Sequence, residues 1–451
     1  MDIDSAKSPD DLLPGGSGIS AEADDDAWVI ETLQRYEPAA LQTQVPVVWQ
    51  RASGARVFDA QGRSWLDWTS GTLTANAGHA PVEVVHAIIR QVEQGLLHTY
   101  AFPTRVRARL VRALAELTGF PQCVLFTTGA EAIEGALKIC RSFALERGRH
   151  RALVISFQGA FHGRTLGAQL AGGQPAQRQW AAGCGEPFVQ VPYPVSGQDW
   201  TPSAIDAALR EVRAEPSDVA CVLTEIYQGS SLRVLDAAAA CALREWCTLH
   251  QIPLVYDEIQ SGFGRTGALF AYERTGTRPD LLVCSKGLSG SLPVSAVLVG
   301  DPRYTEGMAP GALSSTHAGS PLALAAAEAT IALFKDGQLV AGAARRGGEL
   351  ADALAEWAAQ RPERRRVVGA VGMVAGVSLT GPDRAAEQRL AKRLVTECAR
   401  NGLLLCAPVA LEGTLIKIMP PLIVTAADLA EGVRRFMAAT DAIEHELTET
   451  I

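Results

Sequence analysis

Apolar and polar positions along the middle of the chain follow a repeating order of strand, turn and helix. Between about 120 and 300, short apolar runs recur at 124–126, 152–155, 220–223, 253–256, 281–283 and 295–299. Longer stretches such as 131–145 and 237–250 separate them, and their apolar residues recur at helical spacing. Short strands that alternate with helices predict an α/β fold with a mostly parallel sheet that is covered on both faces.

The pattern changes on both sides of this region. Residues 56–67 alternate around Gln61-Gly62 as a hairpin does, while 81–94 and 104–117 have helical periodicity. After about 335, helical and short strand-like stretches are mixed, at 337–360, 385–401, 403–406 and 414–418. This mixture predicts a second, smaller α+β domain.

These patterns predict four segments. Residues 1–25 are polar and acidic and are expected to form a disordered tail. Residues 26–75 are expected to begin the small domain, 76–330 to form the large domain, and 331–451 to complete the small domain.

Composition and charge exclude several classes of protein. The chain has 451 residues, of which 47% are hydrophobic and 20% charged, and this composition is typical of globular proteins. The net charge of −8 and the lack of a basic block argue against nucleic acid as a partner. The most apolar stretch, 321–334, is shorter than the ~20 residues of a membrane span, so no membrane association is expected.

The cysteines, the histidines and the N-terminal residues show neither the pattern of an exported protein nor that of a metal site. The nine cysteines form no CxxC pair and are expected to be buried free thiols in a reducing compartment. The N-terminus is acidic, unlike a secretory signal, so a cytoplasmic location is expected. The eight histidines lack the HxxxH and HExxH spacings, and we predict no metal site.

Residues with chemical potential follow four of the predicted strands. In such folds, ligands bind at the carboxyl ends of the strands. There the chain places a Thr/Gly turn that opens a helix, an aromatic residue before a histidine, a carboxylate and a lysine: 127–130, Phe161, Asp257 and Lys286. Each has a purely structural alternative, namely a helix cap, a core ring, a paired acid and a lysine at a strand end. Together they are the set that pyridoxal 5′-phosphate (PLP) requires.

One long block carries a family resemblance. Residues 253–267 read PLVYDEIQSGFGRTG, and 279–288 read PDLLVCSKGL. With 76–81, 161–165, 315–321 and 420–422, the chain from about Trp49 onward resembles the class III (subgroup II) aminotransferases of PLP fold type I. The resemblance implies a large domain with a mostly parallel seven-stranded sheet and a smaller α+β domain.

The resemblance also implies roles around the cofactor ring. Lys286 would form the Schiff base and shuttle the proton, and Asp257 would pair with the pyridinium nitrogen. Gln260 would contact the 3′-oxygen. Phe161 would stack on the ring, with His162 beside it as a further cofactor contact.

Other roles concern the phosphate and the subunit assembly. Backbone N–H groups of Gly129 and Ala130 would bind the cofactor phosphate. Thr316 would reach the phosphate of the neighbouring subunit, so the resemblance implies a homodimer. Glu225 would steady the region around Asp257.

The implied reaction moves an amino group from an amine or amino acid to a keto acid or aldehyde in two half-reactions. A racemase, an epimerase or a decarboxylase on the same fold is the alternative, since fold does not fix function. A non-catalytic PLP-binding protein is a third possibility. The intact trio of Lys286, Asp257 and Gln260 argues against it.

The sequence departs from the family where the substrate carboxylate is held. Many members have an arginine in the strand before Pro-Pro-Leu, and a glutamate in Gln-Gly-Glu that pairs with it. Here Lys417 and Ser230 stand at these places. A lysine offers charge without the two-point fork of arginine. We therefore expect an amine, an aldehyde-derived substrate or an amino acid bound in another way, with a structural Lys417 as the alternative.

Overall fold

The computed structural model describes residues 26–41, 44–184, 187–194, 200–408 and 411–449, so the tail predicted over 1–25 lies outside the described residues. The helices are α1 Asp26–Tyr36, α2 Ser70–Leu73, α3 Val82–Glu93, α4 Arg105–Thr118, α5 Gly129–Glu146, α6 Leu166–Ala171, α7 Pro175–Arg178, α8 Ser203–Glu211, α9 Ala237–Leu249, α10 Pro321–Ala332, α11 Gln338–Ala359, α12 Arg384–Arg400 and α13 Ala426–Glu449. The strands are β1 Arg51–Ser53, β2 Arg56–Phe58, β3 Ser64–Asp67, β4 Gln122–Phe126, β5 Leu153–Phe157, β6 Phe188–Val191, β7 Val219–Thr224, β8 Leu254–Asp257, β9 Leu281–Cys284, β10 Ser295–Val299, β11 Arg365–Val371, β12 Val374–Leu379, β13 Leu403–Leu404 and β14 Ile416–Ile418.

A seven-stranded sheet forms the centre of the molecule, in the order β4-β10-β9-β8-β7-β5-β6. The pairs from β9 to β6 are parallel, while β10 runs antiparallel to both β9 and β4. The strands β5, β7, β8, β9 and β10 are buried along their whole length, as expected for a sheet covered on both faces. The predicted fold class is confirmed.

Helix α5 shows how local sequence places a helix at the carboxyl edge of this sheet. The hydroxyl of Thr128 accepts a hydrogen bond from the N–H of Glu131 at 3.2 Å and caps the first turn. Apolar residues such as Ile133, Leu137 and Cys140 form the buried face of the helix. They join a core cluster with residues of β5, β7, β8, β9 and β10, so the start of α5 is held against the sheet.

Two smaller sheets contain residues from both ends of the chain. The first has the order β1-β2-β3-β13, and β13 pairs in parallel with β3. Its β2–β3 hairpin turns at Gly62, which has a φ of 77°, where the sequence predicts the turn. The second, β11-β12-β14, is antiparallel and includes the β11–β12 hairpin over residues 365–379.

One buried arginine ties the central sheet to the other parts of the chain. Arg265 has no solvent-exposed surface, and its burial lowers the pKa of the guanidinium to about 9. Its Nη1 donates to the carbonyl oxygens of Met373 at 2.7 Å and Pro420 at 2.6 Å. Its Nη2 donates to Asn76 Oδ1 at 2.6 Å and to Ser70 Oγ at 3.3 Å. The side chain therefore fixes four segments that surround the carboxyl edge of the sheet.

Candidate active site

A cavity of about 340 Å³ opens at the carboxyl edge of the central sheet. Its lining brings together residues from five separate segments of the chain. They are Thr74, Thr127, Thr128, Gly129, Ala130, Phe161, His162, Gly163, Asp257, Ile259, Gln260, Ser285, Lys286, Ser289, Ser291, Leu292, Pro293 and Val294. Seven of the residues singled out from the sequence are thus in one place.

Lys286 lies directly beyond β9, and its backbone has a φ of 48° in the left-handed region. A residue with a side chain is uncommon in this conformation, and such strain is often found at functional sites. Burial lowers the pKa of the Lys286 ammonium group, and the nearby charge of Asp257 only partly opposes this effect. A larger fraction of the amine is therefore neutral and nucleophilic at a given pH.

Asp257 ends β8 and is held in one orientation by two contacts. Its Oδ2 lies 2.8 Å from Nδ1 of the buried His162, and its Oδ1 accepts the N–H of Ile259 at 3.0 Å. Burial would lower the pKa of His162, but the hydrogen bond and the charge of Asp257 outweigh it and raise that pKa. The Nε2 of His162 is buried without a partner among the described residues. The pair presents a fixed negative group to the cavity.

The first turn of α5 forms a cradle for an anion. The N–H groups of Gly129 and Ala130 have no acceptor among the described residues. A Cβ on Gly163 would lie 2.7 Å from that of Ala130, so the loop after β5 closes tightly against the helix start. Free N–H groups at a helix N-terminus suit a phosphate.

Glu225 lies behind the cavity and connects two loops. Its carboxylate accepts the N–H of Phe161 at 3.1 Å and the N–H of Gly229 at 2.9 Å. Burial raises the pKa of Glu225 to about 7, against the opposing charge of His162. The side chain of Gln260 lies on Gly229, where a Cβ would approach its Nε2 to 2.3 Å. Glu225 therefore fixes the surfaces on which Phe161 and Gln260 lie.

Ser230 and Lys417 do not line this cavity. The hydroxyl of Ser230 donates a short hydrogen bond to the carbonyl oxygen of Gly159. Lys417 lies on β14 opposite Gly376 and interacts electrostatically with Glu225 and Lys286. Burial lowers the pKa of the Lys417 ammonium group to about 8. The chain thus has two desolvated lysines in one region.

Thr316 is exposed and lies outside the cavity of its own chain. Its segment is anchored to the 96–102 segment, since Ser320 Oγ donates to the carbonyl oxygen of Leu97 at 3.1 Å. The neighbouring His317 ring lies 5.2 Å from that of His98, between centroids.

Sequence reasoning missed several hydroxyl groups of the cavity. Ser285, Ser289 and Ser291 could have been predicted as cavity residues, because they are close to Lys286 in the sequence. Thr74 had none, because it follows a left-handed turn over α2 in which Ser70, Thr72 and Leu73 all have positive φ. Distant contacts hold that turn, including the bond from Ser70 Oγ to the carbonyl oxygen of Met419 at 2.6 Å.

The donor set fits PLP: an amine for its aldehyde, a carboxylate for its ring nitrogen and free N–H groups for its phosphate. The family model for aminotransferase class III matches residues 38–440. This chain belongs to the class III aminotransferases. Enzymes of this family depend on PLP, and the chain is a PLP-dependent aminotransferase.

Individual relatives support this assignment. The aminotransferase is 34% identical to acetylornithine aminotransferase of Thermosynechococcus vestitus, over 85% of this chain and 90% of the relative. It is 33% identical to 2-aminoadipate transaminase of Pseudomonas putida, over 86% of this chain and 94% of the relative. The crystal structure of Toxoplasma gondii ornithine aminotransferase superposes with a TM-score of 0.84 at 28% identity, covering 94% of this chain and 97% of the other.

The described parts of the chain contain no group of three or more histidine, cysteine or acidic side chains that could hold a metal ion. None of their helices combines the length and apolar character that crossing a membrane requires. All nine cysteines are free thiols.

Proposed function

We propose that Lys286 is the catalytic lysine of this aminotransferase and that Asp257 is its partner for the cofactor ring. The observation that carries the proposal is the cavity in which a strained, desolvated lysine, an oriented carboxylate and unpaired helix N–H groups meet. Lys286 Nζ would be the amine that holds PLP through its aldehyde carbon.

Each residue around the cofactor ring has a separate role in the proposed reaction. Bound PLP supplies an electron-withdrawing ring that stabilises the negative charge left when a substrate loses its α-proton. Lys286 Nζ removes that proton and returns it, as a general base and acid. Asp257, oriented by His162, holds positive charge at the ring nitrogen. Phe161 covers one face of the ring.

Further contacts position the cofactor. The N–H groups of Gly129 and Ala130 bind its phosphate, while Gln260 contacts its 3′-oxygen. Glu225 acts as a positioning residue, because its carboxylate holds the backbone of Phe161 and Gly229.

Lys417 and Ser230 define the substrate side of the proposal. Lys417 offers one buried positive charge where many relatives have an arginine, and Ser230 replaces the acid that would pair with it. With Ser230 bonded to Gly159, no carboxylate at that position competes for Lys417. We propose that the substrate is an amine, an aldehyde-derived compound or an amino acid held by one charge, not by a two-point clamp.

We also propose a homodimer in which Thr316 contacts the cofactor phosphate of the other subunit. Exposed apolar side chains beside the Thr316 segment support this assembly: Leu96, Leu97, Tyr100 and Phe102. Contiguous exposed apolar surface is typical of protein interfaces.

The domain division and the location remain part of the proposal. Residues 26–75 and 331–451 form the small domain and 76–330 the large one, which the pairing of β3 with β13 supports. The free cysteines support a reducing, cytoplasmic location.

The absorption spectrum of the purified protein tests the catalytic assignment. We expect a visible band from the bound cofactor that borohydride abolishes and that Lys286→Ala lacks. An amino donor should convert this band, and a keto acid or aldehyde should restore it. Lys138→Ala, which removes an exposed lysine, is the control and should retain the band. A normal band and full turnover in Lys286→Ala would refute the assignment.

The same experiment separates transamination from racemisation. If no donor converts the band while the α-proton of an amino acid exchanges with solvent, the enzyme is a racemase or epimerase. If carbon dioxide is released instead, it is a decarboxylase.

A further inference from the structure

A second large cavity lies at the opposite edge of the central sheet. It has a volume of about 690 Å³ and is lined by Arg147, Arg149, Arg244 and Arg303 together with Asp280. Arg149 precedes β5 and Asp280 precedes β9, so the cavity faces the amino ends of the strands. The Lys286 cavity lies at their carboxyl ends. We refer to the four arginines and Asp280 as the arginine cleft.

The one carboxylate among the residues that line the cleft already has three partners. Asp280 Oδ2 accepts the N–H of Leu254 at 2.8 Å and a bond from Arg244 Nη1 at 2.7 Å. Its Oδ1 accepts the hydroxyl of Tyr304 at 2.9 Å. Asp280 therefore pairs with Arg244, and its charge also acts on Arg303.

Arg149 and Arg147 have no carboxylate partner among the described residues. Arg149 donates to the carbonyl oxygens of Val219 at 2.9 Å and His250 at 2.8 Å. Burial, and then the positive charge of Arg147, lower the pKa of Arg149. The Arg147 guanidinium lies 3.4 Å from the centroid of the Phe143 ring. Two neighbouring cations are thus held in fixed positions by neutral groups.

Arg303 adds a third charge with little compensation. It is exposed, and its contact with Asp301 is 3.4 Å long and lies at the surface. Its Nη2 also donates to the hydroxyl of Tyr304 at 3.0 Å. Four arginines therefore line the cleft, in a chain whose net charge is −8. Arg244 is paired with Asp280 and Arg303 with Asp301, whereas Arg147 and Arg149 have no such partner among the described residues.

We propose that the arginine cleft binds a small anion with two or more adjacent phosphate groups, either a free polyphosphate or the phosphate chain of a nucleotide. Guanidinium groups bind phosphate oxygens in a two-point geometry, and several fixed cations favour adjacent charged groups over one. The arginines line a recess, which suits a small ligand. The site uses none of the residues of the Lys286 cavity.

Binding of this anion should reduce the repulsion between Arg147 and Arg149. It should also stabilise the starts of β8 and β9, which Asp280 joins through Leu254, and the helix α9, which Asp280 contacts through Arg244. A ligand that binds only the folded state stabilises it by RT ln(1 + L/Kd), where L is the free ligand concentration, so the melting temperature should rise with the logarithm of that concentration once it exceeds Kd.

Titration calorimetry of the PLP-loaded enzyme tests the site. The probes are tripolyphosphate, ATP, orthophosphate and citrate at constant ionic strength. We expect saturable binding of tripolyphosphate, one per chain, and weaker binding of orthophosphate and citrate. The double variant Arg147→Gln/Arg303→Gln should raise the Kd for tripolyphosphate by about tenfold or more. Arg147→Lys/Arg303→Lys, which retains the charge, should give an intermediate Kd.

A charge-matched variant controls for long-range electrostatics. Arg345→Gln/Arg366→Gln removes two exposed arginines outside the cleft and should leave the Kd unchanged. Equal binding of ATP assigns the site to nucleotides, while preference for tripolyphosphate assigns it to free polyphosphate. The proposal is overturned by absent binding, by citrate binding equally well, by equal loss in both Gln variants, or by loss of the visible cofactor band during titration.

Discussion

Two lysines in one region have different electrostatic surroundings. Lys286 faces Asp257, whereas Lys417 interacts with Glu225 and with Lys286 itself. Burial is the largest influence on both pKa values and lowers each of them. Because the pKa of Lys417 is lowered to about 8, its charge is present near neutrality and is lost a little above it.

This charge predicts a pH dependence of substrate binding. Lys417 is protonated below about pH 8, so the KM for a carboxylate-bearing substrate should rise as the pH increases through that value. Lys417→Arg should remove this rise, since an arginine remains charged. Lys417→Ala should raise the KM at pH 7 by about tenfold, the loss of one charge-assisted contact. Steady-state kinetics from pH 6 to about 9.5 measure the KM of the wild type and of both variants. Unchanged kinetics for every donor and acceptor in Lys417→Ala would exclude a direct role.

At the scale of elements, α5 is the piece that couples the fold to the cofactor. Its first turn carries the N–H groups of Gly129 and Ala130, and its middle lies directly on β4. At Gly135, an added Cβ would lie 2.3 Å from the ring of Phe126, which is itself buried, so the helix or the ring would have to shift. Close contact at this glycine therefore sets the height of the helix over the sheet.

Gly135→Ala should displace α5 and weaken cofactor binding. Overpacking of this kind costs about 1–3 kcal/mol of unfolding free energy. We expect a lower urea midpoint and a higher Kd for PLP. The control is Gly348→Ala on α11, where nothing lies within 4 Å of the added Cβ. That substitution should leave PLP binding unchanged and stabilise the protein by up to about 1 kcal/mol. Equal effects of the two substitutions would contradict the role of Gly135.

Local pattern accounts for most of these elements but not for their long-range contacts. The six predicted strands stand out as apolar runs, whereas β6 is a four-residue edge strand with alternating burial and was not predicted. Asp257 and Lys286 could be found because Asp257 is the last residue of a buried strand and Lys286 comes two residues after the end of the next one. The left-handed turn before Thr74 could not, because Arg265 and Met419 hold it from positions far along the chain.

At the scale of the whole molecule, one face has an unusual amount of exposed apolar surface. Phe102 is 73% exposed and Leu97 48% exposed, beside the Thr316 segment. This exposure is expected if a second subunit covers the face, and under the proposed Thr316 contact assembly and cofactor binding would be connected.

Disruption of that face should weaken assembly and cofactor binding together. Phe102→Glu places a charge in the proposed interface, and we expect monomers by size-exclusion chromatography with light scattering. The Kd for PLP should rise by about tenfold, since a monomer would lose the proposed charge-assisted contact between the partner's Thr316 and the phosphate. Leu249→Glu is the control, because Leu249 is 76% exposed at the end of α9 and lies outside the face. It should remain dimeric and retain PLP. If the Phe102→Glu protein stays dimeric, the interface does not include this face. If it is a monomer with unchanged PLP affinity, Thr316 does not contribute to cofactor binding.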